Sequence, residues 1–335
     1  MLALENRKNT RFFLSVALLL FSLTANVSAR DSASEPVRIA LDDLPGIDML
    51  NVLIALEHAR ERGATFEISY MQSEGLAAQA VTSGFADIGM GTPYQLIQRQ
   101  GAPLRMFFQL SLLRFFPVVN ADHMDTWKDL DGEVMYTHGP GSGTEAVMNM
   151  LARRNGIRYR EMKYIPGSGV RARAMLKNQI KATVVDTERR NMLVNSDRGN
   201  FKVLPMTELL ASDEALYASR DFLAARPDMT KILIEELLNV WHQINTDPGY
   251  VARQREKYNL LPDLEPSRVD EIIPYYSEMV AESAFPMDRG LASAFDADIR
   301  FYSYAGTIEG NPSELKEEDY WDFSLLRSVI QQNTR

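Results

Sequence analysis

The chain contains no cysteine, and this absence excludes several kinds of structure and chemistry. Without thiols there can be no disulfide, no lipid-anchor cysteine and no thiol nucleophile. The fold must therefore be held by its apolar core alone. A mature chain of roughly 300 residues is ample for that, and it exceeds the size at which single cores usually divide, so two lobes are expected.

Histidine is also scarce, because only four occur in 335 residues and they are scattered. No HExxH pattern is present, so the sequence does not support a zinc site. There is no Gly-x-Ser-x-Gly nucleophile elbow either. We therefore expect no catalytic residue, no metal and no cofactor. The four histidines are His58, His123, His138 and His242, of which His138 alone falls in a loop expected to face a ligand.

Long apolar runs are absent beyond the N-terminus. There, Arg7, Lys8 and Arg11 precede an apolar run at residues 12–23, and small residues follow at 27–29. This is the pattern of a secretory signal peptide, and the run is too short to span a bilayer comfortably. An amphipathic surface helix is the alternative, but the run is apolar on every face. We expect residues 1–29 to be removed and the mature protein to be periplasmic.

Positive charge is in deficit, since the whole chain carries a formal net charge of −9. Residues 1–29 hold one acid and three bases, so a chain without them is two charges more negative, at −11. Such a surface is a poor partner for nucleic acid. We expect a monomer whose partner is a small molecule.

The most informative segment present is residues 76–96, which is typical of a ligand cradle. Gly84 can take the left-handed conformation that ends a helix, and residues 86–91 are short and apolar enough for a buried parallel strand. Thr92 is then predicted to be an N-cap and Pro93 the first helical residue. Free backbone N–H groups would thus lie at the carboxyl end of a strand, where open α/β sheets hold ligands.

Strand and helix patterns alternate around this segment. Strands are predicted at residues 37–41, 66–71 and 104–110, with a helix at 47–62, which indicates an α/β lobe with a largely parallel sheet. Residues 169–193 repeat the order of helix, break, buried strand and capped helix, with 182–185 as the strand and Thr187 in the place of Thr92. Chance similarity of two ordinary βα units remains open. Further helices are predicted at 229–245, 250–258 and 267–282.

A glycine-rich loop follows the predicted strand 133–136. Its glycines would let the backbone approach a bound group, and Ser142 or Thr144 can cap the next helix. No Gly-Lys-Ser/Thr follows, so this is not a P-loop. An ordinary strand-to-helix turn remains an equal alternative.

Together these motifs resemble a known family, the type II periplasmic solute-binding proteins of ABC importers, in the taurine, alkanesulfonate, nitrate and thiamine-precursor group. The matching features are the signal peptide, Ser83-Gly84-Phe85-Ala86-Asp87-Ile88-Gly89, Trp127-Lys128-Asp129-Leu130-Asp131-Gly132, Gly141-Ser142-Gly143-Thr144 and Arg226-Pro227-Asp228-Met229. The chain departs from the family at Asn178-Gln179-Ile180-Lys181-Ala182, where members often have Gly followed by Asp-Ala. It also lacks the cysteine-rich motif of the related thiamine-pyrimidine synthases.

The resemblance implies two α/β lobes joined by two crossover strands, with C-terminal helices. Lobe one would comprise residues 30–117 and 214–335, and lobe two residues 118–213, with crossings near 114–120 and 209–218. Delivery of the ligand to an ABC permease at the inner membrane is implied as well. Loops at the strand ends should face the ligand, which makes Asp43, Ser73, Thr92, Tyr94, Phe115, Gly141, Ser142, Gly143, Thr144, Ser168, Asp186 and Glu188 the candidate binding residues.

The charge of the ligand stays open. Helix N-termini favour an anion such as a sulfonate or carboxylate. Against this, the acids near these loops would suit a cationic or amino-bearing heterocycle, unless they serve only as caps; they are Asp42, Asp43, Glu74, Asp186 and Glu188. The candidate charge partners are Arg114, Arg171 and Arg189, although a solvated face is the more common place for each of them.

Two other functions remain possible. One is a single-turnover or conventional enzyme of pyrimidine or thiamine-precursor metabolism on the same fold. The other is an exported receptor that presents its ligand to a sensor kinase or to another type of transporter.

Overall fold

Two five-stranded sheets form the framework of the computed structural model, which describes residues 35–207, 209–288 and 294–333. The helices and strands belong to one compact unit, Pro36–Arg335. The signal peptide predicted at residues 1–29 lies outside the described residues. In the part of the chain that is described, no helix combines the length and the apolar character needed to cross a membrane.

The strands occur close to where the apolar runs predict them. Within the described residues they are β1 Val37–Leu41, β2 Phe66–Tyr70, β3 Ile88–Gly91, β4 Leu104–Gln109, β5 Phe116–Asn120, β6 Val134–Thr137, β7 Glu161–Tyr164, β8 Ala182–Val185, β9 Phe201–Val203 and β10 Ala215–Ser219. β3 and β8 are buried at every residue. Central strands covered on both faces require such small or β-branched apolar residues.

The two sheets share one topology. The first has the strand order β2-β1-β3-β10-β4 and the second β7-β6-β8-β5-β9. In each sheet four strands run in the same direction, and one antiparallel strand, β10 or β5, lies between the third of them and the edge strand. β3 and β8 therefore occupy equivalent places, as the internal repeat of helix, break and strand predicts. The predicted α/β class with a sheet in each of two lobes is confirmed.

The chain passes between the sheets twice. Residues 110–115 lead from β4 to β5, and residues 204–214 return from β9 to β10. These connecting segments are paired with each other, because Leu113 N donates to Ala211 O at 2.8 Å and Asp213 N donates to Ser111 O at 3.0 Å. The crossings expected near 114–120 and 209–218 overlap the segments but also include strands β5 and β10 themselves.

Helices cover both sheets. Those described are α1 Leu50–Glu61, α2 Glu74–Thr82, α3 Tyr94–Gln100, α4 Gly143–Asn155, α5 Ser168–Leu176, α6 Thr187–Val194, α7 Arg220–Ala225, α8 Pro227–Thr246, α9 Tyr250–Tyr258, α10 Pro266–Asp270, α11 Ile272–Ala281, α12 Ala294–Ala305 and α13 Ser324–Asn333. The single helix predicted at 267–282 is in fact two helices, α10 and α11. Pro274 has no N–H to donate, so it is accommodated in the first turn of α11 rather than inside a longer helix.

The C-terminal helices buttress the first sheet. Helix α8 packs on α1, and its buried residues Leu233, Leu237 and Trp241 recur at helical spacing on one face. The Trp241 ring lies 4.7 Å from the ring of Phe108 in β4, centroid to centroid. Because this packing is extensive and apolar, it fixes the first sheet as a rigid wall for whatever lies at its edge.

Candidate functional site

A cavity of about 320 Å³ lies between the two sheets. Its walls come from the loops after β1, β2, β6, β7 and β8 and from both connecting segments. These loops are at the carboxyl ends of parallel strands, the edge at which open α/β sheets hold ligands. Helix α11 and the residues after it complete the wall with Tyr275, Met279 and Phe285.

Seven of the twelve candidate binding residues line this cavity: Asp43, Phe115, Ser142, Thr144, Ser168, Asp186 and Glu188. They come from both sheets and from one connecting segment, so the fold brings together residues that are far apart in sequence. Their contact with a ligand remains a prediction.

Three other candidates shape the surrounding loops and are not part of the cavity wall. The Ser73 hydroxyl accepts a hydrogen bond from Leu76 N at 3.3 Å and so caps α2. Gly141 N donates to the Glu145 carboxylate at 2.6 Å. Gly143 packs closely, since a Cβ there would lie 2.8 Å from Leu113 Cδ2 and the leucine side chain would have to shift.

The remaining two candidates, Thr92 and Tyr94, are not among the residues that line the cavity. The prediction that Thr92 caps α3 is wrong, since Pro93 occupies the cap position without a side-chain hydrogen bond. Thr92 Oγ1 instead lies 3.3 Å from Glu74 Oε2 and 3.2 Å from the Tyr302 hydroxyl. The Thr92 backbone N–H donates to the same Glu74 oxygen at 3.2 Å. The donor expected to be free for a ligand is therefore occupied by an acid of the protein.

Tyr94 is fully buried in a polar network beneath the first sheet. Its hydroxyl donates to Asp298 Oδ2 at 2.5 Å and accepts from Trp321 Nε1 at 2.8 Å. The other Asp298 oxygen accepts from Ser212 N, in the returning connecting segment, at 2.6 Å. Tyr94 thus ties residues 76–96 to the returning connecting segment, and it is not part of the cavity wall.

The glycine-rich loop is held by its own hydroxyl groups. Ser142 Oγ donates to Gly139 O at 2.7 Å and lies 2.9 Å from Thr144 Oγ1, which accepts from His138 N at 3.0 Å. Ser142 also caps α4 by accepting from Glu145 N. The loop is therefore pre-formed with two hydroxyl groups at the cavity wall.

Carboxyl groups dominate the polar surface of the cavity. Burial raises the pKa of Asp42, Asp213 and Glu214 well above the ordinary range, and neighbouring carboxylates raise it further. Burial also raises the pKa of Asp48 and Glu74. Sequence reasoning missed Asp48, Asp213 and Glu214 as site residues. The available signal was an acidic pair placed directly before β10, in the predicted crossing.

Arg171, a possible charge partner, is completely buried and serves the protein itself. Its guanidinium donates to Val184 O at 3.0 Å, to Ile165 O at 2.7 Å and to Ser168 Oγ at 3.0 Å. Burial lowers the pKa of Arg171 to about 10. A solvated face is therefore excluded for Arg171, and its donors are already engaged.

The other two arginine candidates form ion pairs with acids of the protein. Arg189 pairs with Glu188, which also pairs with Arg268 of α10. Arg114 in the first connecting segment pairs with Glu282. These contacts leave the cavity with more carboxyl groups than guanidinium groups available to a ligand.

His138 lies in the cavity wall, in the loop where the sequence suggests ligand contact. Its Nδ1 accepts a hydrogen bond from Gly167 N at 3.3 Å, and its Nε2 is buried without a hydrogen-bond partner among the described residues. Burial, and secondarily the nearby charge of Arg171, lowers the pKa of His138. The ring is therefore a neutral group at physiological pH.

Ion pairs join the two halves beside the cavity. Arg190 of α6 lies 2.6 Å from the Glu278 carboxylate of α11, to which Asn191 Nδ2 also donates at 3.1 Å. The Arg190 guanidinium in addition lies 4.3 Å from the Phe116 ring centroid. The helix that follows β8 is thus fastened to helices that pack on the first sheet.

Comparison with protein families gives a match to the model described as NMT1/THI5 like, over residues 60–250. Comparison with curated protein sequences gives no significant match.

Several solved structures share the fold. A protein of Bordetella bronchiseptica RB50 superposes with a TM-score of 0.72 at 19% identity, covering 90% of this chain and 98% of the other. The periplasmic nitrate-binding protein of Synechocystis PCC 6803 gives 0.66 at 12% identity, covering 89% and 88%. The alkanesulfonate-binding protein of Xanthomonas axonopodis pv. citri, bound to MOPS, gives 0.57 at 15% identity, covering 82% and 94%.

Proposed function

The chain belongs to the NMT1/THI5-like family, and from that premise we propose that it is a solute receptor acting outside the cytoplasm. It captures a small organic molecule between its two sheets and delivers it to the permease of an ABC importer. The signal-peptide pattern and the binding roles of the nitrate and alkanesulfonate receptors of the same fold support this assignment.

The observation that carries the proposal is a cavity whose wall is shared by both sheets and by the two paired segments that connect them. A molecule that contacts both halves stabilises the closed arrangement by its difference in affinity for the closed and open forms. Ion pairs such as Arg190 with Glu278 would form on closure and add to that stabilisation. Recognition of the closed form by the permease requires no chemical step.

The proposal is tested by a thermal-shift screen across sulfonates, carboxylates, pyrimidines, flavins and polyamines, followed by X-ray scattering. A ligand that binds only the native state raises its apparent stability, and closure lowers the radius of gyration. Phe115→Ala, which removes an aromatic ring from the cavity wall, is expected to weaken binding about tenfold or more. Phe85→Ala is the matched control, because Phe85 is 62% exposed and outside the cavity.

Two results would contradict the receptor assignment. One is the absence of any binding or compaction across the whole panel. The other is formation of a product, or covalent modification of the chain, after incubation with a bound compound, which would favour an enzyme of pyrimidine metabolism. Export is tested separately by sequencing the N-terminus of the mature protein, which is expected to begin after Ala29.

A further inference from the structure

The charge of the cavity wall distinguishes this site from a binding pocket for anions. The acids on the wall come from both sheets and from a connecting segment; they are Asp42, Asp43, Asp48, Glu74, Asp186, Glu188, Asp213 and Glu214. Among the described residues, the side chains of Asp213 and Glu214 make no hydrogen bond or ion pair. These two carboxyl groups are therefore available to a bound molecule.

Two buried acceptors on the wall also lack a donor. Asp42 and Asn51 are 7% and 5% exposed, and both line the cavity. Within the described residues, neither Asp42 Oδ1 nor Asn51 Oδ1 has a hydrogen-bond partner. A buried acceptor without a donor costs free energy, so a ligand that brings N–H groups to these oxygens gains from satisfying them.

At two of the helix N-termini beside the cavity, the backbone donors that could hold an anion are already engaged by acids of the protein. Glu74 accepts from Thr92 N, and the N–H of Gly143 at the start of α4 also lowers the pKa of this carboxyl group. Asp186 caps α6 by accepting from Arg189 N at 2.8 Å. At these two positions a sulfonate or carboxylate would thus meet acids where it needs donors.

We propose, on the basis of the receptor function above, that the cavity takes a small organic cation whose charged group carries N–H donors. Amidinium, guanidinium and primary ammonium groups belong to this class. Quaternary ammonium groups do not, because they offer no N–H to Asp42 and Asn51. Burial and neighbouring carboxyl groups raise the pKa of Asp42, Asp213 and Glu214, and a bound cation would offset this mutual repulsion of the acids.

The size and the apolar part of the cavity favour an organic cation over a bare metal ion. A volume of about 320 Å³ is at the lower end of the range of small-molecule sites, and a single ion would leave most of it unfilled. Phe115, Tyr275 and Phe285 line the same space. Aromatic rings attract organic cations through their faces and pack on flat apolar groups.

The test uses probes of one size and different charge. Binding of benzamidinium, phenylguanidinium and benzylammonium is measured by isothermal titration calorimetry beside their neutral counterparts benzamide, phenylurea and benzyl alcohol. Benzoate and benzenesulfonate represent the anions, and benzyltrimethylammonium is the cation without N–H donors. We expect at least one N–H cation to bind about tenfold or more tightly than its neutral counterpart, the anions and the quaternary cation.

Two variants assign the effect to the cavity acids. Asp42→Asn and Glu214→Gln keep the side-chain shapes while removing charge, and each is expected to weaken binding of the preferred cation about tenfold. Asp197→Asn, on an exposed loop, is the matched control and should bind as the wild type does. Thermal unfolding of each variant in the absence of probe shows that it folds.

The possible failures can be told apart. Tighter binding of benzoate or benzenesulfonate, with compaction in scattering, would overturn the cation assignment and leave the receptor function standing. Equal binding of cations and their neutral counterparts would overturn it too, as would binding of Ca²⁺ or Mg²⁺ alone that depends on Asp42. No binding by these probes or by any compound of the wider panel would overturn both proposals.

Discussion

Replacing Asp298 by asparagine is expected to remove part of the dependence of stability on pH. The Asp298 carboxyl group is completely buried and accepts hydrogen bonds from the Tyr94 hydroxyl and from Ser212 N. Burial raises its pKa from the ordinary 3.8 to about 7, and the two hydrogen bonds offset this only in part. The folded chain therefore holds the proton of Asp298 over a range in which the unfolded chain has released it.

The direction and size of the effect follow from this difference. Because the folded-state pKa is higher, the free energy of unfolding falls as pH rises from about 4 to about 7 and stays low above that range. At about 1.4 kcal/mol per unit, ionisation of Asp298 costs the folded state on the order of 4 kcal/mol. Near pH 4 the side chain at position 298 is neutral in the folded wild type and in the Asp298→Asn variant, so their free energies of unfolding should differ by less than about 1 kcal/mol. Near pH 8 the Asp298→Asn variant should be the more stable protein by about 4 kcal/mol.

Urea unfolding at several pH values between about 4 and about 8 measures this difference. The other buried acids titrate in both proteins, so their contributions cancel when the curves are subtracted. Asp296→Asn, an exposed site on the same helix, is the control and should give a curve parallel to that of the wild type. If the Asp298→Asn curve also runs parallel to that of the wild type, the reasoning that burial raises the pKa of Asp298 is refuted.

Two further substitutions test the packing around the site. In Gly89→Ala, the new methyl group would lie 2.3 Å from the buried ring of Tyr217, so we expect the free energy of unfolding, measured with urea, to fall by about 1–3 kcal/mol. The control is Gly139→Ala, where a Cβ would have no atom within 4 Å, and its stability should change by less than about 0.5 kcal/mol. Arg171→Met leaves buried carbonyl oxygens without their donors and should destabilise the fold by about 3 kcal/mol. Arg173→Met, at an exposed position on the same helix, is the control. Equal stability of these two variants would contradict the structural role of the Arg171 guanidinium.

Secondary structure was predictable wherever the burial pattern is strong. β1 and β8 begin and end where the apolar runs place them, and the left-handed Gly84, with φ of 75°, follows the end of α2 as expected. The edge strands β7 and β9 were not predicted. β7 is largely exposed and mixes polar with apolar residues, and β9 has only three residues, so neither leaves a periodic signal.

The candidate site was predictable as a set of loops but not as a set of contacts. Strand ends converge by topology, which is why Asp43, Ser142 and Asp186 meet at one cavity although they are far apart in the chain. The same reasoning placed Tyr94 at the ligand. The structure instead pairs it with Asp298, a residue on a distant helix that no local pattern links to it.

What the sequence alone determined is therefore the class of fold, the order of its elements and the edge at which a cavity forms, because hydrophobic periodicity and turn residues act over short stretches of chain. Only the tertiary structure decided which polar groups are free. The donor at Thr92 is taken by Glu74, whereas Asp42 Oδ1 is left without a donor among the described residues. Such pairings depend on segments brought together by folding. The free-energy cost of an unpaired buried acceptor is the physical basis of the proposed preference for a ligand with N–H donors.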